Sequence, residues 1–90
     1  MRMATRKQYI QALEFVLSAK DDFKKLDYYR LNGEEYIFLT DLLGQVAILD
    51  VTGYSDANIY HALAIIECNG TPRCYISDPK KRLELGRLFR

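Results

Sequence analysis

Asn32-Gly33 stands between two runs rich in aromatic and aliphatic residues, LDYYRL before it and EEYIFL after it. A two-residue type I′ turn needs positive φ at both central positions, which Asn tolerates and Gly adopts at little cost. The spacing predicts a hairpin over Leu26–Leu39, with Leu31 opposite Glu34, Arg30 opposite Glu35, Tyr29 opposite Tyr36 and Tyr28 opposite Ile37. Side chains alternate across a strand. One face then carries Leu26, Tyr28, Ile37 and Leu39, closed at the turn by the opposite charges of Arg30 and Glu35. The other face carries Tyr29, Tyr36 and Phe38. Both faces are partly apolar, so both ask for cover.

The rest of the chain supplies the covering elements. Thr5 and Gln8 have the spacing of a capping box. Tyr9, Leu13, Val16 and Lys20, flanked by Ile10, Ala12, Leu17 and Phe23, recur at helical spacing, which predicts an amphipathic helix from Thr5 to about Lys24. Phe15 is the exception, about 200° around the helix from Leu13 and among Gln11, Ser18 and Asp22 on the polar side. Gln45–Val51 reads as a third strand whose run of apolar residues suits cover on both faces. It completes a meander, since consecutive antiparallel strands usually neighbour one another.

A second helix is capped by Ser55-Asp56 and stopped by Asn69-Gly70, with Ile59, Ala62, Leu63 and Ile66 at the i, i+3, i+4, i+7 positions. The competing reading is a strand over Tyr60–Cys68 turning at Asn69-Gly70, and Pro72 just beyond the turn counts against it. If helical, its far side bears His61, Ala64, Ile65 and Cys68, and asks for cover by the first helix or by another chain. Arg73–Ile76 reads as a short edge strand. Asp78-Pro79 starts a last helix with Leu85, Leu88 and Phe89 on one face, and with Gly86 placed to permit close packing. The expected architecture is α+β, in one small domain spanning residues 1–90: a three- to four-stranded antiparallel meander, helices packed on one face, in the order α-β-β-β-α-β-α.

Charge is segregated along the chain. Between Leu31 and Pro72 there are six acidic residues and no Lys or Arg, whereas the flanking segments hold all 13 basic residues and the other six acidic ones. Basic ends around an acidic middle would make a dipolar surface if the ends converge, or simply keep the domain soluble. The first residues hold Arg2, Arg6 and Lys7 ahead of an apolar stretch, but Gln11 and Glu14 interrupt it, so neither a secretory signal nor a membrane span is expected. Cys68 and Cys74 are too few for a disulfide scaffold, which points to a cytoplasmic protein with reduced thiols.

Chemistry is sparse. His61 is the lone histidine, and spacing supplies it with no partner beyond a possible approach of Asp50, Tyr54 or Asp56. Together with Cys68 and Cys74 it falls short of the four ligands and paired spacings of structural zinc. No phosphate-binding glycine loop or nucleophile elbow occurs. We therefore expect no catalytic residue, no metal and no cofactor. The expected function is a non-catalytic protein-interaction or regulatory module, with Phe15, Tyr29, Tyr36 and Phe38 as its surface anchors and a homodimer as the expected assembly. The alternative is a small nucleic-acid-binding protein. It would use Lys80, Lys81, Arg82, Arg87 and Arg90, joined by Arg2, Arg6 and Lys7, to neutralise phosphates, and Tyr29, Tyr36 and Phe38 to stack bases. Glu34 and Glu35 beside those rings, and a pI near 7.7, weigh against it. If the helices take the ring face, the expected binding surface is on the opposite side.

Overall fold

The computed structural model describes residues 5–18 and 25–89. In chain order these form α1 (Arg6–Ser18), β1 (Lys25–Leu31), β2 (Glu34–Thr40), β3 (Val46–Asp50), α2 (Asp56–Glu67) and α3 (Pro79–Leu88). The fold is α+β, with an antiparallel sheet in the order β1-β2-β3. The end of the first helix near Lys24, Lys20 and Phe23 within it, and the cations Arg2 and Arg90, lie outside the described residues.

Local chemistry accounts for the element boundaries. Thr5 and Gln8 close the capping box reciprocally: the Thr5 amide donates to Gln8 Oε1 at 2.9 Å and the Gln8 amide to Thr5 Oγ1 at 3.2 Å. Asn32 and Gly33 have φ of 51° and 82°, the signs a type I′ turn requires. The hairpin register pairs Leu31 with Glu34, Arg30 with Glu35, Tyr29 with Tyr36 and Tyr28 with Ile37, as the spacing predicts. Ser55 caps α2 by accepting from the Asn58 amide at 3.1 Å. Asn69, at φ 65°, ends it in a Schellman arrangement: the Gly70 amide reaches Ile65 O and the Asn69 amide Ile66 O, each at 2.8 Å. Residues 60–68 therefore fall in a helix and its cap, not in a strand. Asp78 and Pro79 start α3, with Asp78 Oδ1 accepting from the Lys80 amide at 3.0 Å.

Each sheet face has its own core. Ile10 and Leu13 of α1 and Ile59, Ala62 and Leu63 of α2 bury Leu26, Ile37, Leu39 and Leu49 on one face. On the other face α3 brings Leu85, with Phe89 after its end, over Tyr36, Ile48 and Phe38. The helices therefore lie on both faces, not one, because the rings of β1 and β2 are too apolar to remain wet and α3 is the element left to cover them. The expected strand at Arg73–Ile76 is reduced to one bridge, Leu49 to Tyr75. Its flanking bonds run from the Asp50 amide to Cys74 O at 2.8 Å and from the Ile76 amide to Ile48 O at 2.9 Å. Pro72 just upstream has no amide to extend that ladder.

Arg6 ties the first face together. Its Nη2 donates to Tyr54 O at 2.7 Å, and its Nε lies 3.6 Å from Glu35 Oε2. Nη1 lies 2.9 Å from Asp56 Oδ1, an ion-pair distance without hydrogen-bond alignment. Tyr28 donates to the same Glu35 carboxylate at 2.8 Å. One side chain thus joins α1, the hairpin and the start of α2. Replacing it takes the guanidinium from the half-buried Glu35 carboxylate, leaving it the Tyr28 hydroxyl, and removes the donor to the Tyr54 carbonyl. Arg6→Met is expected to lower unfolding free energy by about 1–3 kcal/mol in urea titrations, with an unchanged m-value.

Candidate functional site

Although α3 crosses the ring face, it does not seal it. Between helix and sheet lies a groove of about 410 Å³. Tyr29, Phe38, Val46 and Ile48 form its floor, and Leu83, Gly86 and Phe89 its wall, with Asp27 and Arg82 among its polar lining residues. Gly86 contributes to the opening: a Cβ there would meet nothing within 4 Å. The expectation that Gly86 permits close packing is thus corrected; the glycine faces open space. Leu88, expected beside Leu85 and Phe89, is instead 60% exposed, because Leu85 and Phe89, one turn apart, take the inward direction.

The aromatic residues lock onto each other at one end of the groove. Phe89 stacks on Tyr29, with centroids 4.5 Å apart and planes at 16°, and meets Phe38 edge-on at 5.9 Å. Tyr29 and Phe38 are also edge-to-face at 5.0 Å. Tyr36 is 1% exposed and donates its hydroxyl to the Glu34 carboxylate. As a surface anchor Tyr36 is therefore unavailable. Tyr29 and Phe38, half-buried, line the groove instead of standing clear of it. With Phe89 on Tyr29 and Tyr36 buried, the ring face is not an open platform on which bases could stack. Phe15, on α1 and 81% exposed, lies apart from the groove lining.

The basic residues separate into two groups. Lys80, Lys81 and Arg87 line a shallow shelf on α3 together with Asp78, Glu84 and Leu83. Leu83 also lines the groove, so shelf and groove are contiguous. Arg82 lines the groove, and its Nη1 donates to the Tyr75 hydroxyl at 2.9 Å. Arg6 is engaged at the opposite face, and Lys7 is exposed on α1.

Elsewhere the side chains with reactive potential are structurally placed. His61 is exposed, and its ring lies 6.3 Å from that of Tyr60. Cys68 and Cys74 are free thiols, the first exposed and the second buried. Burial pushes the Cys74 thiol up, away from the range of an activated nucleophile, although its bond with Tyr54 opposes the shift. Among the described residues no cluster of three potential metal ligands occurs, and no helix is long and apolar enough to cross a membrane.

Sequence reasoning missed Val46, Leu83 and Gly86 as lining residues. Leu83-x-x-Gly86 was the available signal: an apolar residue and a gap three positions apart lie on the same side of a helix. Nothing local marks Val46. No protein-family model matches the chain, and no curated protein or solved structure is found to be similar to it.

Tyr36 gives the ring face an alkaline signature. Burial first, then the bond to Glu34 and the charges of Glu34 and Asp50, push its phenol up to about 12. A phenol raised above its ordinary value near 10 stabilises the fold fully below that value. The contribution is lost as pH rises through the window from 10 to about 12. Tyr36→Phe is expected to lose stability less steeply across that window than the parent in denaturant titrations, while Tyr9, Tyr28 and Tyr54, also raised, retain a shallower slope.

Proposed function

We propose that this chain is a non-catalytic protein-interaction module of a regulatory kind, and that a partner docks between α3 and the ring face. The observation that carries the reading is the groove itself. It is preformed, its walls are mostly apolar, and its volume of about 410 Å³ falls within the usual range for ligand pockets, about 300–1,000 Å³. Val46 and Leu83, 43% and 59% exposed, add apolar surface at the same place.

Peptide-display selection against the parent and against Gly86→Leu tests the docking site. A Cβ at that position meets nothing within 4 Å, so leucine there is expected to occupy part of the groove that Gly86 lines. Peptides are expected to enrich on the parent and to be lost on Gly86→Leu; enrichment indifferent to that substitution, or none at all, counts against the reading.

Self-association is a further part of the proposal, supported by Phe15 and Val16, which are 81% and 55% exposed on α1. Sedimentation equilibrium at micromolar concentration is expected to give a dimer that Phe15→Glu returns to monomer. A parent that remains monomeric throughout removes this part.

A further inference from the structure

Resting on the docking reading above, we propose that the segment bound in the groove is acidic and amphipathic: a linear stretch of a partner protein that inserts apolar side chains beside Gly86 and lays carboxylates across the outer side of α3. The argument is charge complementarity joined to apolar continuity. From Pro79 to Leu88 the helix carries Lys80, Lys81, Arg82 and Arg87 against Glu84 alone. Asp78, at its start, caps the Lys80 amide and keeps its charge, so the shelf itself carries three cations, Lys80, Lys81 and Arg87, against the two carboxylates of Asp78 and Glu84. Leu83 belongs to both the groove and the basic shelf, so a segment with apolar residues in one meets cations in the other with no intervening gap. Of the two charged residues that line the groove, Asp27 lies 3.6 Å from Lys25 Nζ, which offsets its charge, and Arg82 is held by its bond to the Tyr75 hydroxyl.

A nucleic acid would also be drawn to the shelf, but the neighbouring surface offers it little. One face of the Tyr29 ring is stacked on Phe89 and Tyr36 is buried, so the rings beside the cations offer bases a restricted surface instead of an open platform. An apolar groove rewards aliphatic and aromatic side chains, which a phosphate backbone lacks. Complementary charge would chiefly speed encounter and fix the direction in which the segment lies.

The test uses the full chain and four labelled probes in fluorescence anisotropy at low and moderate salt. These are a short peptide mixing glutamate with leucine and phenylalanine, its lysine-for-glutamate counterpart, its serine-for-apolar counterpart, and single-stranded RNA of equal charge. The acidic amphipathic peptide is expected to bind, and the other three to bind at least about tenfold more weakly. Leu83→Glu, Gly86→Leu and the double variant Lys80→Glu/Lys81→Glu are each expected to weaken it by roughly tenfold, the double variant also flattening the salt dependence. Leu83, Lys80 and Gly86 are not buried, and circular dichroism confirms that each variant is folded before it is compared. Binding of the lysine peptide equal to that of the acidic one, still lost on Gly86→Leu, overturns the acidic assignment and leaves the docking reading standing. Equal binding of the serine peptide or of RNA, insensitive to Gly86→Leu, overturns the acidic-segment proposal in favour of charge alone. Failure of every peptide to bind overturns both.

Discussion

A three-stranded sheet with apolar side chains on both faces has to be covered twice, and the rest of this structure follows from that demand. On one face lie Leu26, Ile37, Leu39 and Leu49; on the other lie Tyr36, Phe38 and Ile48. Fully burying a large apolar side chain contributes about 1.5–3 kcal/mol, and a chain of this size has only a marginal net stability to draw on. Neither face can be left wet. Two helices close the first, and the short C-terminal helix closes what it can of the second.

The covers are unequal, and the inequality produces the candidate site. The first face receives two helices locked by Arg6, whose guanidinium reaches a carbonyl and two carboxylates from the hairpin and the start of α2. The second receives ten residues of α3 with Leu85 alone fully buried, assisted by Phe89 after the helix ends. Such a helix spans the ring face at one end and leaves the other open beside Val46 and Thr40. Gly86 widens the opening where any other side chain would narrow it. A glycine inside a helix costs about 1 kcal/mol relative to alanine, and here that cost accompanies a groove, not a close contact.

Electrostatics adds direction to this surface. Lys80, Lys81 and Arg87 of α3 cluster on its outer side, next to the open groove, whereas the acidic central segment contributes Glu35 to the Arg6 network and Glu34 to the bond with Tyr36. What reads along the chain as blocks of charge becomes, in the fold, carboxylates that serve internal bonds and lysines left facing solvent. Partner recognition is therefore proposed for the basic helix and its neighbouring apolar groove.

The hairpin, its register, the three helix starts and the sorting of side chains into two sheet faces were legible in the residues, because each depends on interactions among near neighbours: positive φ at Asn32 and Gly33, reciprocal bonds between Thr5 and Gln8, the caps at Ser55 and Asp78, the Asn69 helix stop. The tertiary structure alone decided which helix covered which face. Periodicity tells that a helix has an apolar side but not which surface that side meets, and both sheet faces offered a suitable one. For the same reason Tyr36 passed from expected anchor to core, Leu88 from core to surface, and Gly86 from close contact to open groove. That two apolar faces exist follows from the alternation of residues along the strands; how much of the second stays accessible follows from packing, through the length and placement of α3.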